Sequence, residues 1–328
     1  MMKPLVLRLL GPVRILPFLL PISAALAQTD TSALQWLQRV YTATQKLNYS
    51  GVFVYQQGQQ VETSRITHIV DASGPRERLE TLDGVPREII RTRDEVVCYL
   101  PASKAVKIDK QYGSRVFPDI LPERLKDLSE NYDIRKGEIE RVGGYDCQVI
   151  IIEPKDRMRY GHRFWVDLHT GMLLKAKTFD ENGEMVEQFA FTQLQIGGPI
   201  GREKLKARFS RESRHWRVED SGAVRTNLAE AGWTIRSGPP GFRTVTELLR
   251  TLGGTSGVGH IVLSDGLAAV SVFIQPAKSK QPVSRPGLVR QGAINVYARP
   301  VGDHWVTVVG EAPAESVKYI ADAVEFRK

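Results

Sequence analysis

The chain has 328 residues, a formal net charge of +8, 42% hydrophobic and 25% charged residues, and two cysteines. That length is more than one core usually serves, so two domains are the default expectation. Composition alone excludes a chain built on metal-binding or Cys-x-x-Cys redox spacing, because the six histidines and the two cysteines are widely scattered.

The N-terminus indicates export. Lys3, Arg8 and Arg14 precede an apolar run over 15–26 that ends in Ala25-Leu26-Ala27, the charge, apolar and small-residue pattern of a signal peptide cleaved before Gln28. Pro17 and Pro21 interrupt the run, which is too short for a bilayer core of about 30 Å. Removing 1–27 takes away three basic and no acidic side chains, so the formal charge falls from +8 to +5. An exported chain of that charge has no nucleic-acid partner. The excess suits an acidic partner segment or an anionic lipid headgroup, and equally plain colloidal solubility.

A helix is expected over 32–47, with Ser32 and Gln35 at capping-box spacing and Leu34, Leu37, Tyr41 and Leu47 near the helical period. The period then changes to two. Strands are expected over 49–56, 61–70, 76–82, 87–91, 95–100 and 105–109, then a short helix over 118–128. Strands at 132–142 and 145–153 flank Gly143-Gly144. A three-stranded meander follows in RFWVDLHTGMLLKAKTFDENGEMVEQFAF (163–191), where Asn182-Gly183 has the signature of a type I′ turn with positive φ at both residues. The sum is an α+β fold whose N-terminal domain, 28–198, is a half-open antiparallel β-barrel wrapped around helices. A basic linker over 199–216 leads to a smaller C-terminal α+β domain, 217–328. Within it Asp265-Gly266 marks a two-residue hairpin, 276–287 reads as a loop, 293–299 and 305–310 as strands, and 313–326 as a helix.

Cys98 and Cys147, an even count in an exported chain, read as one disulfide worth about 4 kcal/mol for a loop of about 50 residues. Two buried free thiols are the alternative. The glycine cluster at 253–259 lacks the Gly-Lys-Ser/Thr ending of a phosphate loop, and Ser256 fails the Gly-x-Ser-x-Gly pattern because Val258 takes the last place. No catalytic, metal or cofactor motif emerges, and the reading is a binding protein rather than an enzyme.

The meander resembles the lipoprotein-carrier proteins of the LolA/LolB type, half-open barrels that hold acyl chains. The segments GHIVLSDGLAAVSVFIQP, TVVGEAP and ESVKYIADAVEF, with GWTIRSGPPGF before them, resemble the small domain of the RseB/MucB family, periplasmic regulators of sigma-E envelope stress signalling. The order of signal peptide, carrier-like domain, linker and small module agrees over the whole mature chain. The resemblance implies a negative regulator that binds the periplasmic segment of a transmembrane anti-sigma factor and shields it from proteolysis. Lipopolysaccharide or another acyl-chain signal would release it; a lipid or lipoprotein carrier is the alternative. It implies no cofactor, and a homo-oligomer stays open.

Candidate groove residues are Val52, Val54, Phe164, Val166, Phe189 and Phe191, chosen as pairs sharing a strand face; a plain core is the other reading. Candidate partner contacts are Arg202, Lys204, Lys206 and Arg208 in the basic run over 202–217, which is otherwise a solvated face.

Overall fold

The computed structural model describes residues 31–110, 121, 125–277 and 287–327. The expected signal peptide, and most of 111–124 including 118–120 and 122–124 of the helix expected over 118–128, lie outside them. Two large sheets, each with its own buried cluster, dominate the described residues.

The first unit opens with α1 (Thr31–Lys46), which buries Ala33, Leu37 and Val40. Six strands follow: β1 (Tyr49–Gln57), β2 (Gln60–Asp71), β3 (Gly74–Thr81), β4 (Glu88–Arg91), β5 (Glu95–Leu100) and β6 (Ala105–Lys110). A short α2 (Leu128–Asn131) leads into β7 (Tyr132–Val142), β8 (Tyr145–Pro154), β9 (Gly161–Asp167), β10 (Leu173–Phe179) and β11 (Met185–Ile196). After three short 3₁₀ turns comes β12 (Arg217–Asp220).

These make one twelve-stranded sheet in the order β12-β6-β5-β4-β3-β2-β1-β11-β10-β9-β8-β7. Neighbours are antiparallel except β12, which lies parallel to β6. The end strands β7 and β12 do not pair with one another, so the sheet is open. Sequence assigned 217 onward to the second domain, whereas Arg217–Asp220 completes the first sheet. Its carrier is the linker, which runs back along the first domain before leaving it.

The second unit contains β13 (Val224–Arg225), β14 (Trp233–Ile235), β15 (Arg243–Leu252), β16 (Thr255–Ser264), β17 (Ala269–Pro276), β18 (Gly287–Gln291), β19 (Ile294–Val301), β20 (His304–Gly310), α3 (Ala314–Asp322) and β21 (Val324–Phe326). Seven strands form a sheet in the order β13-β15-β16-β17-β20-β19-β18, and β14 pairs with β21. Val317, Ile320 and Ala321 of α3 share a core with Val270, Val272, Val306 and Val308.

The expected C-terminal helix over 313–326 stops at Asp322. Ala323 donates to the carbonyls of Tyr319 and Ile320, and Val324–Phe326 then alternates as a strand against Trp233–Ile235. Two turns also differ from expectation. Only Gly183 has positive φ (78°) in the 180–184 loop, and Asp180 accepts from the backbone amides of Asn182 and Glu184, so Asx capping replaces the type I′ turn. Likewise 265–268 is a four-residue connection in which Asp265 Oδ1 accepts from the amides of Leu267 and Ala268.

The disulfide is not formed: Cys98 and Cys147 are both free. Cys98 lies on β5 and Cys147 on β8, with β4, β3, β2, β1, β11, β10 and β9 between them in the sheet. At about 4.8 Å per strand that separation is far outside the Cα reach of a bridge. Burial pushes the Cys147 thiol up to about 12. No described helix is long and apolar enough to cross a membrane.

Candidate functional site

Strand register decides which side chains meet on the face of the first sheet that looks toward the second domain. Phe164 on β9 stands opposite Ala176 on β10, Ala176 opposite Phe189 on β11, and Phe189 opposite Tyr55 on β1. The next row is His162, Thr178 and Glu187. Because side chains alternate along a strand, Phe53 shares the face of Tyr55, with Phe191 directly opposite it at a ring separation of 5.8 Å. Leu79 and Ile89 extend the same wall across β3 and β4.

Leu248, His260, Val262, Ile294, Val309 and Glu311 of the second unit complete the enclosure, which holds about 800 Å³. Apolar side chains line much of it, and ion pairs accompany them: Arg87 with Glu62 at 2.9 Å, Arg91 with Glu77, and Arg250 of β15 with Asp109 of β6 at 2.6 Å.

The six groove candidates divide three ways. Phe164 and Phe189 line the cleft. Val166 and Phe191 share their face but lie sunk in the core, 0% and 3% exposed. Val52 and Val54 do not belong to it. They project to the opposite, half-exposed face, where Val52 borders a shallow depression with Arg65 and Gln193. Both parities of YSGVFVYQQ are apolar, and the bulkier aromatic set, Tyr49, Phe53 and Tyr55, took the interior. Phe53 and Tyr55 are therefore cleft residues that the valines displaced in the sequence reading.

The four basic candidates sit on the linker, which is docked rather than free. Glu88, 0% exposed, accepts from the backbone amides of Arg208 and Phe209 at 3.0 and 3.2 Å and from the Arg78 guanidinium. Arg202 pairs with Asp71 at 3.1 Å, and Arg208 approaches Glu80 at 3.9 Å. Lys204 and Lys206 remain exposed.

The second unit is also fastened to the first through Arg159, which is buried. Its guanidinium donates to Asp265 at 2.8 Å, to both oxygens of Asp156 at 3.0 Å and to the Pro240 carbonyl. Tyr132 donates to the same Asp265 carboxylate at 2.7 Å. Tyr160 accepts from Asn295 at 3.0 Å, and Ser316 donates to the Met158 carbonyl. Nothing in the local sequence around Arg159 or Asp265 signals this pair, since its members come from different domains.

Comparison with known proteins adds two matches. The model of the MucB/RseB N-terminal domain matches residues 32–209, and that of the MucB/RseB C-terminal domain matches 227–325. This chain belongs to the MucB/RseB family. Among its MucB/RseB relatives, the sigma factor AlgU regulatory protein MucB of Pseudomonas aeruginosa is 29% identical over 309 residues, covering 92% of this chain and 93% of the relative. The sigma-E factor regulatory protein RseB of Escherichia coli is 26% identical over 292 residues, covering 88% and 89%.

The solved complex of Pseudomonas aeruginosa MucA/MucB superposes with a TM-score of 0.69 at 27% identity, over 91% of this chain and all of that one. A crystal structure of MucB in complex with MucA(peri) gives 0.68 at 28% identity, covering 90% of this chain and 99% of that one. The MucB/RseB matches leave 210–226 between them, the segment that contains β12, the strand that joins the first sheet.

Proposed function

We propose that this chain is a periplasmic negative regulator of a sigma-E-type factor. It binds the periplasmic segment of a membrane anti-sigma factor and shields that segment from the first proteolytic cut. The observation that carries this reading is the two-domain MucB/RseB match, joined to a MucB relative solved with MucA(peri). The basic strip of Arg202, Lys204, Lys206 and Arg208, fixed along β2 to β4 by Glu88, would present a defined positive surface to an acidic partner segment.

The cleft supplies the input. An enclosure of about 800 Å³ with Phe53, Phe164 and Phe189 on one wall and charged side chains at its borders suits an acyl chain with a polar head. A lipid that prefers the unbound regulator lowers its affinity for the partner, and partner binding lowers lipid affinity by the same factor. A lipid or lipoprotein carrier would use the same apolar wall. In that reading the second domain, which covers the wall and is fastened by Arg159, has no task.

The test combines the chain from Gln28 onward with the periplasmic segment of its anti-sigma factor and follows cleavage by the first-step protease, with and without lipopolysaccharide. Protection that lipid relieves supports the regulator. Absence of both binding and protection, with acyl cargo passed between membranes, establishes the carrier instead.

A further inference from the structure

Two acidic side chains from different domains line the cleft. Glu187 projects from β11 of the first sheet, and Glu311 directly follows β20 of the second. Tyr55, on neighbouring β1, lines the same cleft. Glu187 is half-buried, and Glu311 is exposed within the cleft it lines. Its backbone has little room to yield, because Gly310 is so close to Ala269 and Val270 of β17 that a Cβ there would lie 2.7 Å from Val270 Cγ2.

We propose that Glu187 and Glu311 form a proton-operated catch between the two domains. With a proton on the pair, the walls rest together. When both carboxyls ionise, two like charges stand on the two walls of the cleft and its opening widens.

Among the described residues no cation is paired with either carboxyl; on β18, Arg290 is engaged by Asp180 at 3.0 Å. On β10 the residue beside Glu187 is neutral Thr178, while Lys175 and Lys177 point to the opposite face, over the Trp165 ring. On β9, His162 is held neutral by burial, its pKa lowered to about 4. On β2 the facing charge is another carboxylate, Glu62, already engaged by Arg87. Arg91 serves Glu77, Arg250 serves Asp109 and Arg243 serves Asp127. Lys110 belongs to β6, with β5, β4, β3, β2 and β1 between it and β11.

Desolvation first, and then Glu311, raises the Glu187 carboxyl from 4.5 to about 7; burial raises Glu311 as well. The sign follows from linkage. The closed arrangement binds the proton more tightly than the open one, so closure is fully favoured below about 4.5, weakens as pH rises, and has lost this contribution above about 7. The pair titrates as a unit. The catch acts whatever lipid or partner the protein holds, so it stands or falls separately from the regulator reading.

The experiment measures an inter-domain distance by pulsed electron spin resonance. Labels sit at Arg141→Cys on β7 and Lys318→Cys on α3, both exposed positions, in a Cys98→Ser background. Cys147, buried with its thiol pushed up to about 12, does not take the label. The expected result is a distance distribution that shifts between pH 5.5 and pH 8.5 with a midpoint near 7, and that stays at its acid value throughout in Glu187→Gln and in Glu311→Gln. A wild-type distance that does not change with pH overturns the catch, as does a shift that survives in the glutamine variants. Should either variant fail to fold, the wild-type series and the remaining variant decide.

Discussion

The second domain meets the first in two contrasting ways. At Arg159 every charge is answered: the guanidinium has four acceptors, lies 5.4 and 5.5 Å from the rings of Tyr132 and Phe242, and shares Asp265 with the Tyr132 hydroxyl. At Glu187 and Glu311 two groups of the same sign line opposite walls of the cleft, and no described cation is paired with either. The first contact is strong because its desolvation is compensated by geometry. The second is conditional on a proton. Arg159, with Arg250 on Asp109 and Arg290 on Asp180, ties the domains together, so the cleft can change its opening without the domains coming apart.

The most disruptive way to break this contrast is to remove Asp265. Asp265→Ala leaves Arg159 buried without its partner and also removes the turn-capping oxygen from Leu267 and Ala268, so a loss of about 3–5 kcal/mol is expected in urea unfolding. Phe53→Ala, at 6% exposure and packed edge-on to Phe191, should cost about 3 kcal/mol while leaving the Arg159 pin intact. Glu88→Gln weakens the linker anchor on the amides of Arg208 and Phe209. It should cost about 1–3 kcal/mol and speed proteolytic nicking within 199–216. Asp109→Asn removes the half-exposed bridge to Arg250 at the cleft border and should cost about 1 kcal/mol.

Acid tests the other polar groups of the cleft. Burial holds His162 and His260 at about 4, so each contributes stability that is present above the ordinary value of 6.5 and is lost as pH falls toward 4. The urea midpoint should therefore drop across that window. Glu187 acts with the opposite sign over an overlapping range, so the difference between wild type and Glu187→Gln isolates its share. Electrophoretic mobility of the denatured chain should be the same with and without reductant, in keeping with free Cys98 and Cys147.

Much of the fold was legible where one period dominates. β5 and β7 have the bounds that alternation gives them, and α1 agrees to within a residue at either end. Reading failed where two periods or two partners compete. Val324 extends the apolar stripe of α3 with Val317, Ile320 and Ala321, yet Val324 and Phe326 alternate equally well against Ile235 and Trp233. In β1 both faces are apolar, and the aromatic face won the interior over Val52 and Val54. The disulfide failed because cysteine count carries no information on strand order. Of the site, the apolar wall could be read in part, through Phe164 and Phe189. Glu187, Glu311, Arg159 and Asp265 could not, because each matters only through a residue on the other domain.

The most direct test of the regulator reading is a calorimetric titration of the chain from Gln28 onward with the periplasmic segment of its anti-sigma factor. The account predicts saturable binding that lipopolysaccharide weakens, with the weakening reduced in Phe164→Asp and Phe189→Asp while partner binding persists. No binding heat and no co-migration on size exclusion would contradict it.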